Sequence, residues 1–447
     1  MFQKLLVLLA VILIYCSKQN SAVIAAIGFS ILGYFVTNWL IPRVGPSFIK
    51  IGLFGKDLSK PGKPVLPETI GAVSATVYLF VMLSYIPFIF YKYMIVSTTG
   101  GGQRGPSVED SSMSASIFPH NRLSEYLSSI LCLESTILIG IADDLFDLRW
   151  RHKFFLPVIG SLPLLLIYYV DFGVTYVLIP GFIKKYFNLT ATIVDLGGLY
   201  YVYMAAMGIF CPNSINILAG VNGLEVGQSI VISILELLND ILYLTWGSPD
   251  GIAAHRFSAV LIIPFLGVSL ALWKWNRWPA KVFVGDTYCY FAGMVFAVVG
   301  ILGHFSKTML MLFIPQILNF IYSCPQLFNI VPCPRHRLPR FEAKDGLMYP
   351  SRANLVDNPP KLWFITILKA LAFFHLIELE YDPKDKSKVI SCSNMTLINL
   401  TLVWFGPMRE DALCNRILQL QFMVGLAALF GRHAIGALLF DHDNLWT

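Results

Sequence analysis

"GIADDLFDLRWRHK", residues 140–153, sets three carboxylates, Asp143, Asp144 and Asp147, beside the cationic or basic side chains of Arg149, Arg151, His152 and Lys153. Immediately before its polar part runs "LSSILCLESTILIGIA" (127–142), and after it runs "FFLPVIGSLPLLLIYYV" (154–170), both apolar enough to sit in lipid. A charged knot between two lipid-compatible segments is a loop at a membrane face, because carboxylates and cations are costly inside hydrocarbon.

The rest of the chain agrees. Of 447 residues 56% are hydrophobic and 13% charged, and the mean hydropathy is +0.65. That is too little charge to coat a soluble globule of this size. Segments 21–41, 70–91, 124–142, 155–171, 196–214, 226–246, 257–273, 287–303, 308–329 and 416–440 are each long enough, or nearly so, to cross as helices a hydrocarbon core of roughly 30 Å. The fold class is an all-α polytopic membrane protein of about ten transmembrane helices, with a small α/β cytosolic insertion between the last two. The boundaries are 1–329 for nine helices with their loops, 330–412 for the insertion, and 413–447 for the last helix and tail. In the insertion, "SKVISCS" (387–393) is strand-like and "LWFITILKALAFFHLIELE" (362–380) helix-like. The leading "LLVLLAVILIY" (5–15) is short for a span, and a signal-like, interfacial or spanning role stays open.

The eight cysteines show no metal-ligand spacing and read as small buried hydrophobes, giving neither a disulfide nor a zinc site. The net charge of +6 does not indicate nucleic acid in a membrane protein, where Lys and Arg set orientation. Cations concentrate in the odd-numbered loops: Arg43, Lys50, Lys56, Lys60 and Lys63 in the first, Arg149 to Lys153 in the third, Lys274, Arg277 and Lys281 in the seventh. That face is therefore cytosolic. Of three N-x-Ser/Thr sequons, only Asn188 then falls in the lumen, while Asn394 and Asn399 do not.

Five unusual polar clusters share that face: "FGKDLSKPGKPVLPE" (54–68), the opening stretch, "NSINILAGVNGLEVGQ" (213–228), "VFVGDT" (282–287) and "PCPRHR" (332–337). Each has a plain structural alternative: orientation charges, helix caps and turns, an interfacial anchor, or Asp286 as an N-terminal cap. Together they supply hard oxygen donors suited to Mg²⁺ or Mn²⁺ and cations suited to phosphate. That pairing is what phosphoryl transfer requires. A transporter would show internal repeats, absent here, and a scaffold would need no such donor set.

In this order and between these spans, "KDL" (56–58), "ADDLFDLRWRHK" (142–153), "NSINILAGVNGLEVGQ", "VFVGDTYCYFAGM" (282–294) and "PCPRHR" resemble the eukaryotic UDP-N-acetylglucosamine:dolichyl-phosphate N-acetylglucosaminephosphotransferase family, close to its fungal members. The resemblance implies an endoplasmic reticulum enzyme with a cytosolic active site that starts lipid-linked oligosaccharide synthesis and is the target of tunicamycin. It implies Mg²⁺, with Mn²⁺ a substitute, held by Asn216 and Asp286. UDP-GlcNAc would meet Lys56, Asp57, Leu58, Glu68, Gly220, Asn222, Arg335, His336 and Arg337. Lys153 would face the acceptor phosphate, with Ile209, Phe210, Cys211, Pro212, Asn213, Ser214, Ile215, Asn216 and Ile217 along dolichyl phosphate. Asp143 and Asp144 match the family's catalytic acidic pair, their roles divided among metal support, base and acceptor positioning. Asp147 stands where animal members typically carry Asn. The resemblance further implies a homodimer and association with the next glycosyltransferase of the pathway. Single displacement is preferred over an aspartyl-phosphate intermediate, because a phosphate monoester, with a second pKa of ~6, needs little activation at neutral pH. A bacterial-type relative using undecaprenyl phosphate is the nearer rival, and "PCPRHR" with the long insertion argues against it.

Overall fold

A computed structural model describes residues 2–20, 22–60, 62–90, 119–179, 181–187, 190, 191, 193–334, 337–357, 359–383, 385 and 388–440. Helix α1 (Phe2–Asn20) packs along α2 (Ala22–Lys50), so the short leading segment is a helix of the bundle. A hairpin of β1 (Phe54–Lys56) and β2 (Val65–Pro67) leads to α3 (Gly71–Ile89). Then come α4 (His120–Phe146), α5 (Trp150–Ile167) with a π turn at Tyr168–Phe172, and a second hairpin of β3 (Tyr176–Leu178) and β4 (Ile193–Asp195) around α6 (Gly181–Phe187). The bundle continues through α7 (Gly198–Ile217), α8 (Leu224–Trp246), α9 (Pro249–Asn276) and α10 (Gly285–Leu302).

Among the described residues, seven helices are long and apolar enough to span, and α11 (Ser306–Leu312) with α12 (Ile314–Leu327), bent by 67°, makes an eighth if the pair is one span. Helices α4 and α7 account for most of the difference from about ten expected from sequence. They are long enough, but they carry Glu125, Glu134, Asp143 and Asp144, and Asn213 and Asn216 with three tyrosines. Both of these helices bring polar groups to the site.

Helix α10 is the axis of the bundle. Every residue from Thr287 to Leu302 is buried, and α3, α4, α7 and α9 pack around it. Its contact with α4 is at backbone distance: a Cβ on Gly140 would lie 2.6 Å from Thr287 Cα. A helix buried on all sides reads as uniformly apolar, as "YCYFAGMVFAVVGIL" does.

The insertion contains an antiparallel hairpin of β5 (Arg340–Glu342) and β6 (Leu347–Tyr349), then β7 (Arg352–Asn354), α13 (Leu362–Phe373), β8 (Leu379–Tyr381) and β9 (Val389–Ser393), with α14 (Leu397–Phe405) closing it. The sheet order is β7-β9-β8. The helix-like run 362–380 thus splits, its last residues joining the sheet. Helix α15 (Glu410–Phe440) starts six residues ahead of the expected 416, because the first of its polar residues, Glu410, is buried in protein.

Two sequons turn out to be structural. Asn394 Nδ2 donates to Ser351 Oγ (2.8 Å), and its Oδ1 accepts from Gln326 Nε2 (2.7 Å). Asn399 Oδ1 accepts from Ser351 N (2.9 Å), and its Nδ2 donates to Arg337 O (2.9 Å). Both are buried, so neither can carry a glycan in the folded protein; Asn188 lies outside the described residues. Replacing Asn399 with Ala strands the Ser351 amide and leaves the Arg337 carbonyl only its bond from Ser351 Oγ (3.1 Å), and is expected to lower stability by about 1–3 kcal/mol, read as a drop in the thermal midpoint of the purified protein. Peptide mass spectrometry should find Asn394 and Asn399 unmodified.

Candidate active site

The site is built on the start of α10. Gly285 has φ +74°, and a Cβ there would lie 2.5 Å from Asp144 Oδ2, so backbone conformation and space both require glycine. Asp144, at the end of α4, reaches under this turn. It accepts from Asp286 N (2.7 Å), Thr287 N (3.2 Å) and Thr287 Oγ1 (2.6 Å). Free amides at a helix start need acceptors, and a carboxylate also suits the positive end of the helix dipole. The cap is therefore supplied from another helix. The sequence-based alternative that Asp286 caps its own helix is corrected: with the amides taken by Asp144, Asp286 points outward.

Asp286 meets the end of α4 and the start of α5. Lys153 Nζ lies 2.9 Å from Asp286 Oδ2 and 3.2 Å from Asp143 Oδ2. Asn216, in the last turn of α7, donates its amide to Asp286 Oδ1. Asp143 is buried, its Oδ1 accepting from Leu148 N (3.1 Å) and its Oδ2 from Tyr290 OH (3.3 Å). Tyr290 OH also reaches Lys153 O at 3.2 Å. Four helices, α4, α5, α7 and α10, thus converge through Asp143, Asp144, Lys153, Asn216 and Asp286.

A second polar cluster lies against the first loop. Asn222 Nδ2 donates to Asp57 Oδ2 (3.0 Å), and Asn222 N donates to Glu410 Oε1 (2.9 Å). Lys60 bridges Asp57 (3.5 Å) and Glu410. Glu225 Oε1 accepts from Gly220 N (2.8 Å), and the Leu338 side chain lies where a Gly220 Cβ would project. The hairpin is stitched to the approach to α10 by Phe283 N to Pro67 O (2.8 Å) and Ile70 N to Phe283 O (3.1 Å), which places Glu68 near the acids. Burial, reinforced by the charges of Asp144 and Asp286, holds the Glu68 carboxyl above its ordinary pKa. Lys56 and Leu58 face outward, Leu58 being 64% exposed. Arg337 Nη1 is buried with no partner among the described residues, while Arg335 and His336 lie outside them.

On the lipid side, a cavity of about 180 Å³ is lined by Phe154, Ala206, Ile209, Phe210, Asn213, Ser214, Ile217 and Phe320. Helical periodicity divides the segment 209–217. Ile209, Phe210, Asn213, Ser214 and Ile217 face the cavity, whereas Cys211, Pro212 and Ile215 are buried in the core. These three are removed from the expected lipid contacts. A larger apolar groove of about 600 Å³ between α2 and α3 carries no charged side chain.

The donor set fits Mg²⁺ of one kind. Asp286 supplies carboxylate oxygens, and Asn216 an amide oxygen if its amide turns over. Lys153 bridges Asp286 and Asp143, and among the described residues no three-carboxylate cage forms here. Mg²⁺ keeps waters and is often held by one or two protein groups with substrate phosphates, so these residues suit an ion that enters with a nucleoside diphosphate. Sequence reasoning missed Tyr290, Thr287, Lys60 and Glu410 as parts of the site. Lys60 stood only among the orientation charges, and its partner Glu410 is 350 positions away.

The chain matches the family model described as Glycosyl transferase family 4 over residues 126–304. It is 74% identical to a Saccharomyces cerevisiae UDP-N-acetylglucosamine–dolichyl-phosphate N-acetylglucosaminephosphotransferase, covering 97% of each chain. It is 49% identical to a Schizosaccharomyces pombe protein of that name, over 96% of each, and 37% identical to one from Dictyostelium discoideum, over 90% of this chain and 86% of the relative.

The capping arrangement makes a direct prediction. Asp144→Ala should cost about 1–2 kcal/mol of stability, as loss of a helix cap does, and Gly285→Ala should cost a similar amount through its contact with the same carboxylate. In the double variant the two losses should sum to more than is measured. Thermal midpoints of the three variants check this; strict additivity would mean that the contact does not exist.

Proposed function

The chain belongs to the family of UDP-N-acetylglucosamine–dolichyl-phosphate N-acetylglucosaminephosphotransferases, and from that premise we propose which of its residues perform the transfer and with which metal. The enzyme moves N-acetylglucosamine 1-phosphate from UDP-GlcNAc to dolichyl phosphate, giving GlcNAc-diphosphodolichol and UMP, the first step of lipid-linked oligosaccharide synthesis for N-glycosylation.

One observation carries the assignment of roles. Lys153 holds the two carboxylates where the helix ends meet, and the next residue, Phe154, lines the apolar cavity. A single helical turn therefore offers a cation for a lipid's phosphate and a wall for its chain. A dolichyl-phosphate oxygen attacks the β-phosphorus of UDP-GlcNAc, the new oxygen–phosphorus bond forms, and the bond from that phosphorus to the UMP oxygen breaks. The acceptor is largely dianionic at neutral pH, so Lys153 serves to attract and neutralise it rather than to be deprotonated by it.

The acids have separate tasks. Asp144 spends its oxygens on the first turn of α10, and Asp143 spends its own on Leu148, Tyr290 and Lys153. Groups so engaged make poor nucleophiles, which favours single displacement over an aspartyl-phosphate. Both are positioning residues for Lys153 and Asp286. Asp57, held by Asn222 and Lys60, orders the loop that faces the nucleotide, with Glu68, Gly220 and Asn222 on the same side; the family resemblance assigns Arg335, His336 and Arg337 to the sugar phosphate. Asp286 and Asn216 would hold Mg²⁺, or Mn²⁺ in its place, and such an ion would supply neutralisation of the pyrophosphate charge.

We place this face toward the cytosol, since the cation-rich odd loops share it, in the endoplasmic reticulum membrane. A homodimer, and docking of the next glycosyltransferase, belong to the same proposal. Asp286→Ala should reduce Mg²⁺-dependent UMP release from UDP-GlcNAc by about 10²- to 10³-fold, the scale of losing one preorganised electrostatic group. Asp147→Asn should leave substantial activity. Asp147 is exposed and left-handed at the end of α4, φ +47°, a conformation that Asn adopts readily. Full activity of Asp286→Ala at ordinary Mg²⁺ would remove Asp286 from the chemistry.

A further inference from the structure

Away from the active site, α8 and α9 bury a second group of ionisable side chains. Glu236 and Asp240, one turn apart on α8, face His255 of α9. One ligand atom from each lies within 4.8 Å of the other two, and all three side chains are buried. Glu236 is 0% exposed, and neither of its carboxylate oxygens has a hydrogen-bond partner among the described residues. Asp240 is better served: its Oδ1 lies 2.7 Å from His255 Nδ1, and its Oδ2 accepts from Ser258 Oγ at 2.8 Å. The His255 ring is stacked between Tyr243 (3.9 Å between ring centres) and Phe305 (4.6 Å).

The position is distinct from the transfer site. Helix α8 starts at Leu224 beside Asn222, and at 1.5 Å per residue Glu236 lies about 18 Å further along and Asp240 about 24 Å. Helix α9 runs antiparallel, so His255, near its start, belongs to the far half as well. Two carboxylates buried without an ion pair to Lys or Arg among the described residues are costly. The nearest basic groups from α15 are otherwise engaged, Arg432 with Tyr243 OH (3.4 Å) and His433 Nε2 with Asn239 Oδ1 (3.2 Å).

We propose that Glu236, Asp240 and His255 bind a divalent transition-metal ion, Zn²⁺ by ligand chemistry, that clamps α8 to α9 in the half of the bundle opposite the active site. The inference is independent of the roles assigned to Asp286 and Asn216. Carboxylate oxygens and imidazole nitrogens are both zinc ligands, and a site with three protein ligands leaves a fourth position for water or another donor. The imidazole selects against Mg²⁺ and Ca²⁺, which prefer oxygen alone. Ligands of a tetrahedral zinc ion stand about 3.3–3.5 Å apart at bond lengths of about 2.0–2.1 Å, so ligand atoms that lie within 4.8 Å of one another can reach that spacing by side-chain movement. Ser258 on Asp240, and the rings on either side of His255, act as the supporting contacts that fix metal ligands. The ion's two charges would match those of Glu236 and Asp240. Its consequence for the fold is a tie between the far ends of two helices whose near ends frame the active site: α8 begins at the Asn222 loop, and α9 leads into the approach to Asp286.

The test uses the full chain purified in detergent through a non-chelating tag. Metal content is measured by mass spectrometry after incubation with Zn²⁺ and removal of the excess. Wild type and Asp286→Ala should each retain about one zinc per chain, and Glu236→Gln and His255→Ala less than about one-tenth. A strong zinc chelator should lower the thermal midpoint of wild type by several degrees, reversibly on adding Zn²⁺, and leave Glu236→Gln unmoved. If wild type retains less than about one-tenth equivalent after Zn²⁺ loading and its midpoint ignores both chelator and metal, the proposal is overturned, and a proton shared between Glu236 and Asp240 is what keeps the pair buried. The wild-type measurement decides the matter even where a variant fails to fold.

Discussion

The Asp144 carboxylate under the first turn of α10 is the contact on which the site depends. It satisfies backbone amides that the buried helix start would otherwise leave without acceptors, and it joins the end of α4 to the axis of the bundle. Gly285 leaves it room, and Gly140 lets the two helices meet at backbone distance. Because Asp144 takes the amides, Asp286 is turned toward Lys153 and Asn216, where a charged group can act on a ligand. The loop from 143 to 153 therefore carries both acids and bases for different reasons: one acid fixes a helix, one fixes the lysine, and the lysine remains the cation at the edge of the apolar cavity.

This geometry connects the membrane to the chemistry. Lys153 and Phe154 are neighbours in sequence but face different solvents, the first the acidic cluster and the second the apolar cavity shared with Ile209, Phe210 and Ile217. A phosphate carried on a polyprenyl chain needs that boundary. A water-soluble nucleotide sugar needs the opposite side, which is closed by the first loop, the Asn222 turn and the start of α15 through Asp57, Lys60 and Glu410. Trp278 adds to this closure, with Lys60 and Arg409 over its ring at 5.7 and 4.8 Å from the centroid.

Much of this was legible in the sequence, within definite limits. Apolar run length locates helices, and clustered acids, amides and cations at their ends mark one face, because both signals are local. Asp144 looked like half of a catalytic pair, and its capping role was hidden because the first amide it caps lies 142 positions later. The separation of Cys211, Pro212 and Ile215 from their neighbours follows from helical periodicity once the packing partner is known, and α10 is that partner. Glu236, Asp240 and His255 drew no notice at all: their spacing matches no short metal motif, and only the antiparallel pairing of α8 with α9 brings them together.

The central claim is that Asp286, turned outward by the cap, holds a metal shared with the nucleotide's phosphates. Pulsed electron paramagnetic resonance of Mn²⁺ with the purified protein and UDP-GlcNAc reads this directly, through hyperfine coupling to phosphorus. Wild type should show bound Mn²⁺ coupled to phosphorus only when nucleotide is present, and Asp286→Ala should show neither the tight Mn²⁺ nor any phosphorus coupling beyond that of free UDP-GlcNAc. Protein-bound Mn²⁺ with unchanged phosphorus coupling in folded Asp286→Ala would contradict the account.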